Sequence, residues 1–142
     1  MGGRWAAGLT FVWWAVIPIV DKLGLAGRKA PPAGVAARLL VALACLGPIL
    51  LVSPDLRAGL AGLGRREWLA FGASGVMSLL LAQYCYYQAL QDQSVSTLFP
   101  FLFGGAPVFT MVLAWAVLGE PIAWRTGLGG GLIFLGSLLL FW

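Results

Sequence analysis

Histidine is absent from the 142-residue chain, and only two cysteines, Cys45 and Cys85, are present. Both cysteines lie within apolar runs, so the sequence predicts no zinc site, no thiol redox motif and no disulfide framework. It also contains no paired carboxylates and no nucleophile beside a base, which argues against a membrane-embedded enzyme. We therefore expect no catalytic residue, no metal and no cofactor.

Charge is scarce as well, since charged residues make up 10% of the chain and hydrophobic residues 61%. Soluble domains do not need so much apolar surface. The net charge of +4 comes from nine basic and five acidic residues, which lie mostly in connecting segments. That distribution indicates contact with phospholipid headgroups and not with nucleic acid. The composition predicts an all-α integral membrane protein in a lipid bilayer.

Five apolar segments follow one another, at about 5–25, 33–52, 67–90, 94–119 and 122–142. Helices of about 20 residues cross a hydrocarbon core of about 30 Å. We predict one domain over 1–142 with five transmembrane helices and a surface loop at 53–66. No convincing signal-peptide cleavage site follows the first segment, so we expect it to be retained. Three residues separate the third and fourth segments, which predicts an antiparallel helix hairpin.

The fourth span holds two prolines, Pro100 and Pro107, with Gly104 between them on nearly the same helical face. Each proline lacks an N–H group, which leaves the carbonyls of Ser96 and Phe103 without their usual partners. Such backbone is tolerated at membrane depth only against protein, hydroxyl groups or a watery cavity. Two interpretations stay open: a bent helix that lines a pathway, or a kink that serves packing alone.

The first span carries Trp14, Pro18 and Lys22 at four-residue spacing, so one helical face presents an aromatic ring, a kink and a cation. The cation has two interpretations. Lys22 either extends toward the lipid headgroups or contacts a transported molecule.

Two ion pairs are predicted to be structural. Arg38 lies five residues into the second span, where an unpaired charge costs a few kcal/mol, and Asp21, Asp92 or a lipid phosphate would compensate it. Ligand binding by Arg38 is the alternative. Glu120 ends the fourth span, where the helix dipole disfavours an anion, so Arg125 or Arg4 would hold it. A role of Glu120 in transport is the alternative.

The end of the third span is unusually polar for a membrane helix. Regular helical spacing places Ser78 and Gln88 on one face with Tyr84 to one side. Hydrogen bonds between helices or an interfacial aromatic belt would account for part of this polarity. Two glutamines and three tyrosines nevertheless lie within the six residues 83–88. This number of polar groups exceeds what packing needs, since each buried polar group must find a partner.

Five spans place the two termini on opposite sides of the membrane. The basic residues then divide almost evenly, with Arg4, Arg57, Arg65, Arg66 and Arg125 on one side and Lys22, Arg28, Lys29 and Arg38 on the other. The positive-inside rule gives almost no preference for either orientation. We hypothesise an antiparallel dimer in which two copies build a ten-helix inverted repeat. The alternative is a fixed topology with the N-terminus weakly preferred inside the cell.

Several of these features occur together in one family. They are the stretch W-W-A-V-I-P-I-V-D-K, Arg38, the stretch Y-Y-Q-A-L, then P-V-F and L-G-E-P, and the glycines Gly127 and Gly136. In order and spacing the chain resembles a single EamA-type repeat of the drug/metabolite transporter superfamily over nearly all of its length. The resemblance implies a carrier in a bacterial inner membrane, with a central cavity formed mainly by the first four spans.

Most superfamily members carry two such repeats, and one repeat here implies a homodimer or a dimer with a paralogue. The chain is also similar in size to the small multidrug resistance relatives, which have four spans and a carboxylate deep in the first. No acidic residue of this chain lies near mid-membrane in the predicted spans. A proton exchange based on a buried carboxylate therefore has no obvious residue.

We therefore expect a dimeric transporter that moves small organic metabolites or drugs by alternating access. The expected cavity residues come from the first, third and fourth spans: Trp14, Pro18, Lys22, Ser78, Tyr84, Gln88, Ser96, Pro100 and Gly104. The alternative is a non-transporting membrane subunit that assembles with a larger membrane partner and regulates it.

Overall fold

The structure, a computed structural model, describes the backbone of residues 3–26 and 30–141 and the side chains of residues 6–26 and 30–140. Within these ranges the chain is almost entirely helical and contains no strand. The side chains of Arg4, Arg28 and Lys29, which enter the predicted charge balance, lie outside the described residues.

In the described part of the chain, seven α-helices and two π-helical segments follow one another. The first two helices are α1, Gly3–Leu25, and α2, Pro31–Val52. A short helix α3, Pro54–Ala61, precedes the third span, which consists of α4, Arg65–Gly75, a π segment, Val76–Ala82, and α5, Gln83–Asp92. The fourth span comprises α6, Val95–Leu113, and a second π segment, Ala114–Leu118, and the last helix is α7, Trp124–Phe141.

Four of these helical stretches are long and apolar enough to cross a membrane: Ala6–Leu25, Pro31–Val52, Arg65–Asp92 and Val95–Leu118. Helix α7 is apolar but shorter, and its 18 residues rise about 27 Å. This length falls at the lower end of what a bilayer needs. The predicted all-α integral membrane fold is confirmed.

The predicted surface loop at 53–66 is partly wrong, because α3 occupies Pro54–Ala61. Its first residue is a proline, whose fixed φ and missing N–H suit the first position of a helix. Asp55 lies in the first turn, where the helix dipole favours an anion. The extended backbone of Ser53, at φ −101° and ψ 100°, separates this helix from α2.

Local contacts also set the ends of the third and fourth spans. The Gly64 N–H donates to the carboxylate of Glu67 at the start of α4, and the Thr97 N–H donates to Ser94 Oγ at 3.2 Å at the start of α6. Both acceptors satisfy N–H groups that a helix start leaves without partners. Gly119 ends the fourth span at φ 69°, a left-handed conformation that glycine adopts without steric cost.

The π segment Val76–Ala82 changes the phase of the third span. A π turn closes its hydrogen bond one residue later than an α turn, so it holds more residues per turn. Seven such residues rotate α5 relative to α4. Ser78 and Gln88 therefore do not share the face that a regular 3.6-residue period predicts.

The chain divides into two compact units. Unit one comprises residues 1–20 and 92–142, and unit two comprises residues 21–91. In unit one α6 packs against α7. Gly104 is buried beneath Ser137, such that a Cβ at Gly104 would lie 2.6 Å from Ser137 Oγ. A glycine is required at this point of closest approach.

Gly127 and Gly131 of α7 form a G-x-x-x-G pattern, which permits close helix approach, but this pattern does not form the contact with Gly104. A Cβ at Gly131 would meet no atom within 4 Å among the described residues, whereas one at Gly130 would lie 3.5 Å from Met111 Cε and 3.7 Å from Val108 Cγ2. The glycine of α7 that faces α6 is therefore Gly130, one position before Gly131 of the pattern. Gly131 remains outside the packed face, and a Cβ at Gly127 would lie 3.7 Å from Ile122 Cγ2.

We expect Gly104→Ala to lower the free energy of unfolding by about 1–3 kcal/mol, because its Cβ would overlap Ser137. Gly136→Ala is the matched control, since a Cβ at Gly136 meets nothing within 4 Å among the described residues. Unfolding of the purified protein in mixed micelles of increasing SDS content, followed by circular dichroism, measures both. Equal stability of the two variants would contradict the packing described for Gly104.

Candidate functional site

Asp21, at the end of α1 in unit two, accepts hydrogen bonds from two other helices. Arg38 Nη1 of α2 lies 3.2 Å from Asp21 Oδ2, and Tyr87 Oη of α5 donates to Asp21 Oδ1 at 2.8 Å. The Asp21 side chain is 11% exposed and that of Arg38 38% exposed. Each oxygen of the carboxylate thus has a partner, and the Arg38 charge has its counter-ion. We call Asp21, Lys22, Arg38 and Tyr87 the polar cluster.

Lys22 stabilises the end of α5. Its Nζ donates to the main-chain oxygen of Leu90, a buried residue in the last turn of that helix. The last four carbonyls of a helix have no intrahelical partner, and the negative end of the helix dipole favours a cation there. The structure therefore gives Lys22 a helix-capping contact, whereas the sequence left headgroup contact and substrate contact open.

Tyr87 and Gly34 contribute to the polar cluster, although sequence analysis did not select either. The Tyr87 ring packs so close to α2 that a Cβ at Gly34 would lie 3.0 Å from Tyr87 Cε2. Gly34 precedes Arg38 by four residues, so both lie on one face of α2. In the sequence, the signal for this close approach is a glycine one helical turn before an arginine that lies inside a span.

The predicted third-span residues have partners within their own helices. Gln88 Nε2 donates to Tyr84 Oη at 2.8 Å, and Ser78 Oγ donates to the Ser74 carbonyl at 2.8 Å, all in exposed positions. The structure therefore does not bring Ser78, Tyr84 or Gln88 into the polar cluster.

Unit one contains a cleft between α1 and α6, with a volume of about 360 Å³. We call it the aromatic cleft. It is lined by Phe11, Trp14, Ala15, Phe99, Pro100 and Phe103. All six side chains are apolar apart from the indole N–H, and four are aromatic. Such a surface binds flat apolar groups and offers no charge to a ligand.

Helical spacing explains how the aromatic cleft forms. Phe11 and Trp14 are three residues apart on α1, and Phe99 and Phe103 are four apart on α6, so each pair lies on one helix face. The Trp14 and Phe103 rings meet edge to face, with centroids 5.3 Å apart and planes at 66°. Phe99 and Phe103 have centroids 4.2 Å apart. Edge-to-face and tilted contacts are the arrangements that aromatic rings prefer.

The remaining predicted cavity residues of unit one do not line the aromatic cleft. Pro18 is almost completely buried, so its ring is inaccessible to a ligand. Ser96 Oγ lies 2.9 Å from Ser94 Oγ in an exposed position. Gly104 is covered by Ser137. Of the nine predicted residues, the structure brings Trp14 and Pro100 together in one cleft.

Glu120 and Arg125 do not form the predicted ion pair in the described part of the chain. Glu120 is exposed and follows Gly119, whose left-handed conformation turns the chain away from the helix. The Arg125 guanidinium lies 5.5 Å from the centroid of the Trp124 ring, a cation–π distance. The other predicted partner, Arg4, lies outside the described side chains.

Replacement of Asp21 by Asn should destabilise the protein by roughly 1–3 kcal/mol, because Arg38 would lose its counter-charge. This is below the cost at a fully buried pair, since Arg38 is partly exposed. Asp55→Asn is the control, because Asp55 lies on the exposed helix α3. Both are measured by SDS unfolding of the purified protein. A loss at Asp21 no larger than that at Asp55 would refute a stabilising role for the ion pair.

A family model described as the EamA-like transporter family matches residues 1–142. No curated protein and no solved structure matches the chain. The family match covers both the polar cluster and the aromatic cleft, and it agrees with the four long apolar helices of the fold. The chain therefore belongs to the EamA-like transporter family, as a single EamA domain of the drug/metabolite transporter superfamily of multi-pass membrane proteins.

Proposed function

We propose that the chain moves small aromatic organic molecules across a lipid bilayer by alternating access, and that the aromatic cleft holds the ring of the transported molecule. The cleft itself supports this proposal, because six side chains from two membrane-spanning helices line one volume and none of them is charged. The bilayer that we propose is a bacterial inner membrane, as the family resemblance implies.

The size of the cleft supports a ligand of one or two rings. A cavity of about 150 Å³ is enough to bind benzene, and the aromatic cleft has about 360 Å³. Stacked or edge-to-face contact with a ring such as that of Trp14 stabilises an aromatic ligand by about 0.5–1.5 kcal/mol beyond the burial of apolar area. These contacts favour flat ligands over aliphatic ones of equal volume.

The open side of the cleft supports a dimer. Phe11 is 76% exposed and Trp14 is 52% exposed, so one chain does not enclose a ligand. A carrier must shield its ligand on all sides while it changes access. We propose that a second copy, or a paralogue, in the opposite orientation provides the missing wall. The almost equal number of basic residues on the two predicted sides supports such an arrangement.

Alternating access needs helices that change shape, and several spans contain suitable positions. Pro18 lies inside α1, and Pro100 and Pro107 lie inside α6. π-helical segments occur in the third and fourth spans. Prolines and π turns interrupt the regular backbone hydrogen bonds and are the usual positions of helix bending. We propose that these positions bend during transport.

Transport is tested in vesicles that contain the purified protein, with radiolabelled benzenesulfonate and phenyltrimethylammonium. These are aromatic ions of opposite charge that cross lipid bilayers slowly. We expect at least one to enter faster than into protein-free vesicles. Trp14→Ala should slow that entry about tenfold, because the cleft loses its largest ring.

Trp13→Ala is the matched control, since Trp13 is 64% exposed and lies outside the cleft. It should change the rate less than about twofold, within the range of a surface substitution. Equal losses in the two tryptophan variants would reject the cleft as the binding site. Entry of neither ion would oppose transport and would favour the non-transporting subunit.

A further inference from the structure

Two polar atoms of α5 are buried and have no hydrogen-bond partner among the residues that the structure describes: Gln83 Nε2 and Tyr86 Oη. A polar group in an apolar environment costs several kcal/mol if its hydrogen bond is not made, and a membrane provides no water to make it. Gln83 and Tyr86 are three residues apart, so they lie on the same helical face. A single acceptor group on this face would satisfy both atoms.

This face borders the polar cluster. The centroid of the Tyr86 ring lies 5.8 Å from that of Tyr87, which donates to Asp21. The same Asp21 carboxylate lies 3.2 Å from Arg38 Nη1, so Tyr86 is connected through Tyr87 to both charges of the ion pair. By contrast, Tyr84 and Gln88 lie in exposed positions of α5 and bond to each other. Of the two polar atoms without a hydrogen-bond partner, Tyr86 Oη thus belongs to a ring that lies beside the polar cluster.

The donors at this position suit an oxyanion. An amide nitrogen only donates, and a tyrosine hydroxyl donates as readily as it accepts. Arg38 contacts Asp21 through Nη1, which is one part of a guanidinium group with five N–H donors. The polar cluster contains two cations, Lys22 and Arg38, and one carboxylate, so its net charge is positive. Charge-assisted hydrogen bonds to an anion are stronger than those to a neutral acceptor.

We propose that Gln83, Tyr86 and Arg38 form an oxyanion-binding subsite for a carboxylate, sulfonate or phosphate group. The group belongs either to the transported molecule or to a phospholipid headgroup. In the first case the inference rests on the proposed transport function and adds a preference for anions among the transported molecules. In both cases the Gln83 amide and the Tyr86 hydroxyl donate to the anion, beside the Arg38 charge.

Binding of benzenesulfonate to the purified full-length chain tests the subsite, through the increase of the melting temperature with ligand concentration. Tyr86→Phe removes only a hydroxyl group and Gln83→Leu removes only the polar amide. Each should weaken benzenesulfonate binding about tenfold, the effect of one lost hydrogen bond to a charged group. Neither should change the binding of phenyltrimethylammonium, which also shows that each variant is folded. Cys85→Ala, at an exposed position between the two, is the control and should bind both ions normally.

Two short-chain lipids distinguish the sources of the anion: dihexanoylphosphatidylglycerol, which is anionic, and dihexanoylphosphatidylcholine, which is zwitterionic. Stabilisation by the anionic lipid alone, lost in Tyr86→Phe and Gln83→Leu, supports the subsite and assigns it to a headgroup. Stabilisation by benzenesulfonate with the same losses supports it as a site for transported anions.

Unchanged binding of every anion in both variants, or no binding of any anion by the parent chain, would overturn the subsite. Entry of phenyltrimethylammonium into vesicles that depends on Trp14 would in that case leave the proposed transport function intact.

Discussion

In a bilayer every polar group needs a partner within the protein, and in unit two Asp21 is the acceptor that meets this need for two other helices. Its carboxylate holds Arg38 of α2 and Tyr87 of α5. The next residue, Lys22, holds the end of α5 through a main-chain oxygen. Gly34 leaves the space in which the Tyr87 ring approaches α2. One turn of α1 thus fixes the positions of two neighbouring helices by charge and hydrogen bonds.

Unit one is held by apolar packing instead. Helices α6 and α7 approach most closely at Gly104 and Ser137, and α1 contacts α6 through the Trp14 and Phe103 rings. Apolar packing with few polar groups leaves a cleft lined by aromatic side chains, which is the feature on which the transport proposal rests. The two units therefore provide different chemistry, aromatic surface in one and hydrogen-bond donors with a positive charge in the other.

The sequence predicted the helical membrane fold, because a run of apolar residues of membrane length can be recognised without knowledge of any contact between helices. An arginine inside a span needs an anion, so the sequence predicted Asp21 as a possible counter-ion of Arg38, and the structure contains this ion pair. The polar face of α5 could not be predicted in the same way, because the π segment Val76–Ala82 changes the helical phase before Gln83. Regular spacing therefore selected Gln88, which the structure places in an exposed position.

The proposed transport mechanism depends most on a second copy in the opposite orientation, which completes the transport cavity. The most direct measurement fuses the C-terminus, after Trp142, to a reporter that is active only in the cytoplasm and, in parallel, to one that is active only outside it. We predict signal from both fusions, because the basic residues are nearly balanced between the two sides. Signal from a single fusion would contradict an antiparallel dimer of identical chains.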